Sequence, residues 1–135
     1  MIVVDCNILA YLLIESERTP TARALLERDP EWHSETFALV ELTNVLTTSI
    51  RAGRLDFQRA THVLTDAQAV MLRGLHTVPH TEVLALATRL RISAYDARYL
   101  AVATGLNATL VTEDQRLRRA APDLTRSLAD ATSME

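Results

Sequence analysis

The chain has no lysine: all fourteen of its basic residues are arginine. That excludes chemistry needing an ε-amine, including phosphate binding by a P-loop lysine and Schiff-base catalysis. A single cysteine, Cys6, leaves no partner for an internal disulfide and suits a reducing cytoplasm. Its expected role is that of a small buried hydrophobe. No apolar run approaches the length that crosses a bilayer. Asp5 also interrupts the start, with no basic segment before it, so neither a membrane span nor a signal peptide is expected. The formal net charge of −3 gives no broad attraction for a nucleic acid. Repeats, low-complexity tracts and linkers are absent as well.

What is present suits an ordinary globular protein. At 135 residues, 48% of them hydrophobic, the chain is expected to form a single domain over 1–135. Ile2-Val3-Val4 reads as a short buried strand ending abruptly at Asp5. Thr19-Pro20 reads as a helix start with proline at the first helical position. A brief second strand is expected near Trp32, then a long helix ending at Gly53. Asp56 caps the next helix, whose Phe57, Ala60, Val63, Leu64, Ala67, Val70 and Met71 fall on one face. "GLHTVPH" supplies a third strand, and Val83, Leu86, Ala87 and Leu90 repeat at helical spacing after it. "SAYDARYLAVATGL" is a further helix with Gly105 as its stop signal. "ATLVT" is the clearest late strand. A short arginine-bearing helix follows, ended by Pro122, with a last strand near "DLTRSL". Strands alternating with helices predict an α/β domain with a central parallel sheet of four to five strands.

In such a sheet, ligands bind beyond the carboxyl ends of the strands, where the strand order reverses. Asp5 ends the first strand and Asp114 lies just past "TLVT"; if those strands are neighbours, both carboxylates face one crevice. Each acid also has a purely structural explanation. Asp5 can cap a following helix. Thr112 can cap the helix after "TLVT", with Gln115 completing a capping box and Asp114 favoured by the helix dipole. Ser93 and Asp96 fit a capping box of their own. Glu41 shares a stripe with Asn44 and Thr48, opposite Leu39, Leu42 and Leu46. That stripe is either a solvated face or, between Phe37, Val40 and Val45, a partly covered polar cleft.

Taken together, Asp5, Glu41, Asp96 and Asp114 make a different case. Carboxylates gathered at about 4 Å repel by roughly 4 kcal/mol per pair at an effective dielectric near 20. A hard divalent cation resolves that repulsion, and oxygen-only ligands suit Mg²⁺ or Mn²⁺. Such a site is equipped for phosphodiester hydrolysis, and it requires no lysine.

Four segments, "VVDCNILAYLL", "ALVELTNVL", "SAYDARYLAVA" and "LVTEDQRL", in this order and spacing, resemble the PIN-domain family. The similarity is to its VapC-type members, ribonuclease toxins of type II toxin–antitoxin pairs, and it covers almost the whole chain. It implies a three-layer α/β/α sandwich and an endoribonuclease dependent on Mg²⁺ (or Mn²⁺). It further implies a homodimer and an antitoxin that inserts a C-terminal segment into the active-site groove. By position, Asp5, Glu41, Asp96 and Asp114 match the family's acidic quartet, as catalytic and metal-binding residues. Asn7 and Thr112 match its polar auxiliaries, which would orient a carboxylate or a metal-bound water. Glu113 is offset by one residue and is expected to point elsewhere. His76 and His80 have zinc-like spacing, but Pro79 breaks the segment, so they read as surface histidines. Arg116, Arg118 and Arg119 read as a solvated helix end. A housekeeping PIN nuclease in RNA processing and a non-catalytic PIN-like binding module are the alternatives. A haloacid-dehalogenase-type phosphatase would need an aspartate where Asn7 stands, and a lysine.

Overall fold

Val3 and Val4 are adjacent, fully buried, and contribute to two different hydrophobic cores. Successive strand residues point to opposite faces of a sheet, so both faces of this strand are covered. That is why the opening strand is continuously apolar. The computed structural model describes residues 1–133. Its order is β1 (Ile2–Val4), α1 (Cys6–Leu13), α2 (Thr19–Arg28), β2 (Trp32–Glu35), α3 (Phe37–Arg51), α4 (Phe57–Val70) and β3 (Leu75–His76). There follow α5 (His80–Leu90), α6 (Ala94–Leu106), β4 (Leu110–Val111), α7 (Gln115–Ala120), β5 (Thr125–Arg126) and α8 (Leu128–Ser133).

The five strands form one sheet in the order β3-β2-β1-β4-β5, and every neighbouring pair is parallel. The order reverses between β1 and β4, the first strand and the fourth. Val4 pairs with Val111, so the next residues of each strand, Asp5 and Thr112, come out side by side at the carboxyl edge. On one face, Val4 and Val111 pack with Ile8, Leu9, Leu42 and Val63 from α1, α3 and α4. On the other, Val3 and Leu110 pack with Val83, Leu100 and Leu117 from α5, α6 and α7. The architecture is the expected three-layer α/β/α sandwich. No helix among the described residues is long and apolar enough to cross a membrane.

Two local expectations need correction, and one helix is additional to those expected. Gly105 lies inside α6 and does not end it; the helix stops at Asn107, whose φ of 53° is the left-handed residue. Phe57 is not on the buried face of α4 but 76% exposed, because it opens the helix directly after the Asp56 cap. The helix α8 was not foreseen.

Candidate active site

Asp5 lies where β1 gives way to α1 and is itself buried. Its Oδ1 accepts the Ile8 N–H at 3.2 Å, capping α1, and its Oδ2 accepts the Thr112 hydroxyl at 2.6 Å. The Thr112 hydroxyl in turn accepts the Asp114 N–H at 3.1 Å. Thr112 is therefore a bridge from β4 to Asp5, and it is not the helix cap. Asp114 caps α7 itself, accepting the Leu117 N–H at 3.0 Å. Ser93 caps α6 as expected, accepting the Asp96 N–H at 3.0 Å.

Burial pushes the Asp5 carboxyl up from its ordinary 3.8 to about 6. The Thr112 and Ile8 hydrogen bonds pull against that, while Glu41 and Asp96 push further upward. Asp96 is raised chiefly by burial and then by Asp114, with Ser93 and Arg116 opposing. The four acids thus form an electrostatic chain: Glu41 and Asp96 both act on Asp5, and Asp114 acts on Asp96. Glu41 accepts a hydrogen bond from the Tyr99 hydroxyl. Burial and that bond raise the Tyr99 phenol, so it remains a proton donor to the carboxylate. Burial, then Glu41 and Asp5, push the Cys6 thiol up to about 12.

Two hollows hold the other three acids. One, about 430 Å³, is lined by Cys6, Asn7, Phe37, Glu41, Asn44 and Tyr95, among others. The other, about 250 Å³, holds Asp96, Asp114 and Arg116. Asn7 stands exposed in the first turn of α1, beside Glu41 in the first hollow. The donors are hard oxygens crowded by like charge, the chemistry of a site for a small divalent cation that keeps part of its water shell. Among the described residues, no three His, Cys, Asp or Glu side chains already close into a ligand set.

The matched segments are thus brought to one edge of a parallel sheet. The PIN domain family matches residues 2–122. This chain belongs to the PIN-domain family. Ribonuclease VapC3 of Pyrobaculum aerophilum is 30% identical over 127 residues, covering 91% of this chain and 96% of that protein. The crystal structure of PAE2754, also from Pyrobaculum aerophilum, superposes with a TM-score of 0.79 at 23% identity, covering 96% of this chain and 92% of that one.

Several side chains around this PIN-domain site escaped the sequence reading. Tyr99 follows Asp96 by one helical turn and turns a buried phenol onto Glu41; a tyrosine in an alanine- and leucine-rich helix is a signal for such a partner. Glu35, buried at the end of β2, accepts the Phe37 N–H and the Thr36 hydroxyl, both at 2.9 Å. Arg118 is no solvated helix end, since it donates to the Thr112 carbonyl at 2.9 Å. Arg116 acts on Asp96. Glu113 points away, accepting from Arg18 and from the Leu128 N–H, each at 2.7 Å. His76 meets His33 at 2.8 Å and His80 meets Arg98 at 3.0 Å, so the two do not converge on each other.

Proposed function

We propose that this protein is a metal-dependent endoribonuclease and the toxin of a type II toxin–antitoxin pair. The observation that carries the reading is the buried Asp5, coupled to Glu41 and Asp96 at the point where the sheet order reverses. The similarity to Ribonuclease VapC3 supports RNA as substrate and a dedicated antitoxin as partner. On this reading Asp5, Glu41, Asp96 and Asp114 hold Mg²⁺ or Mn²⁺. When bound, the ion supplies an activated water and neutralises charge developing on the phosphorus oxygens. The remaining chemistry belongs to the protein. Thr112 fixes the rotamer of Asp5 through its hydroxyl, and Tyr99 fixes that of Glu41. Asn7, exposed at the start of α1, is free to orient a water or a phosphate oxygen. The whole of 1–135 serves as one domain, working in the cytoplasm as a homodimer.

The test is cleavage of a single-stranded RNA in Mg²⁺ or Mn²⁺, abolished by EDTA. It is paired with growth arrest on expression, relieved by Asp5→Ala at equal soluble abundance. Cleavage that persists in excess chelator, from material freed of contaminating ribonuclease, rules out the metal mechanism. An Asp5→Ala variant that stays equally toxic removes Asp5 from the site.

A further inference from the structure

Phe37, the first residue of α3, and Tyr95, in the first turn of α6, stack with ring centroids 5.3 Å apart and an interplanar angle of 11°. Phe37 is anchored on two sides. The Phe37 N–H is bound by buried Glu35 at 2.9 Å, and the Arg98 guanidinium lies over the Phe37 ring, 5.9 Å from its centroid. Arg98 is itself placed 3.9 Å from Glu35 and 3.0 Å from His80. Tyr95 is nonetheless 62% exposed, and both rings line the same hollow as Glu41 and Asn7. A preorganised aromatic face, open to solvent beside an acid of the site, has no structural duty that explains its exposure.

That hollow continues, through Asn7 and Val45, into a second one of about 510 Å³ between α1, α3 and α4. Arg54 and Arg59 line its far part, and neither pairs with an acid among the described residues. From Phe37 to Ser49 along α3 the path runs about 18 Å, long enough for several nucleotides. Aromatic stacking with cationic flanks is the usual equipment for single-stranded nucleic acid. A protein of net charge −3 draws little affinity from its overall field, so stacking is the contribution left to it.

We propose that Tyr95, supported by Phe37, is the stacking platform for one nucleobase of single-stranded RNA entering the acid-lined cleft, with Arg54 and Arg59 receiving phosphates further along α3. The inference rests on the ribonuclease reading above. The competing occupant is a second copy of this chain covering Tyr95 and Val40. Charged Glu41 and polar Asn7 and Asn44 within the same cleft argue against it, because interface cores are depleted in charge.

The experiment uses full-length protein and a labelled single-stranded oligoribonucleotide. Cleavage kinetics compare wild type, Tyr95→Ala and Tyr95→Phe. Binding is read by fluorescence anisotropy in an Asp5→Asn background, with and without Tyr95→Ala. Tyr95→Ala is expected to raise KM and Kd by about five-fold or more, leaving kcat close to wild type, and Tyr95→Phe is expected to restore both. An abasic substitution scanned along the RNA should, at one position, weaken binding to the protein that keeps Tyr95. At that position the protein carrying Tyr95→Ala should lose nothing further. Active wild type with unchanged KM and Kd in Tyr95→Ala overturns the platform and leaves the ribonuclease reading intact. So does an abasic penalty that survives Tyr95→Ala undiminished. A dimer that becomes a monomer on Tyr95→Ala in size-exclusion chromatography assigns the patch to self-association and overturns it too. A wild type that neither binds nor cleaves RNA removes both readings together.

Discussion

Asp5 uses both of its carboxylate oxygens, one on the Ile8 N–H and one on the Thr112 hydroxyl, yet burial still raises its carboxyl to about 6. The folded chain therefore holds that proton more tightly than the unfolded chain, whose value is 3.8. In the metal-free protein, stability falls as pH rises through the window between those two values, by up to about 3 kcal/mol, and stays lower above it. Asp5→Asn removes the titration. Urea unfolding of both proteins in EDTA, from about pH 4 to about pH 8, should show wild type losing ground to the variant across that window; a constant difference contradicts it. Asp96→Asn and Asp114→Asn extend the argument. Asparagine caps as well as aspartate, so α7 keeps its start. Relief of repulsion along the acid chain should make both variants melt higher than wild type in EDTA. Lower melting, with an equal response to Mg²⁺ in all three, would leave helix capping as their whole role. The acids were legible in the sequence, but capping and site formation looked like rival explanations there. They need not be rivals, because the two oxygens of Asp5 have different partners, the Ile8 N–H on one and the Thr112 hydroxyl on the other. Tyr99 stood out in its helix, but its partner Glu41, 58 residues away, was not legible, since that contact depends on which helix faces it across the fold.

At the scale of elements, two glycines separate what sequence can and cannot say. Gly105 sits within α6 with open space where a Cβ would stand. Gly105→Ala should therefore stabilise the protein by about 0.5–1 kcal/mol. At Gly74 a Cβ would lie 2.0 Å from the Trp32 carbonyl oxygen, in the junction leading to β3. Gly74→Ala should cost about 1–3 kcal/mol, because backbone cannot step aside. Chemical denaturation of the two variants checks both signs. Gly105 looked like the end of α6 because glycine commonly takes the left-handed conformation after a helix. Asparagine also accepts that conformation, and Asn107 does so here; local chemistry alone did not choose between them. The helix α8 was hidden for another reason. Its first N–H is held by Glu113, fifteen residues earlier, and it packs on α2, contacts that only the folded chain supplies.

For the whole molecule, the fold class was readable from alternating strand and helix patterns, whereas the strand order was not. Adjacency of β1 and β4 is a topological fact, and it is what brings Asp5 beside Thr112, whose hydroxyl also holds the Asp114 N–H. A divalent ion that binds only the native state should stabilise the whole chain, by about 2.7 kcal/mol at a hundred times its Kd. Thermal unfolding in rising Mg²⁺ should show this for wild type and little of it for Asp5→Ala; parallel shifts in both would mean that the ion binds elsewhere. The same sheet also constrains assembly. Both of its outer strands, β3 and β5, are only two residues long. Edges so short expose too few backbone groups to template another strand. The fold is thereby guarded against fibrillar growth, and docking of a twin subunit or an inhibitory peptide by lengthening the sheet is disfavoured.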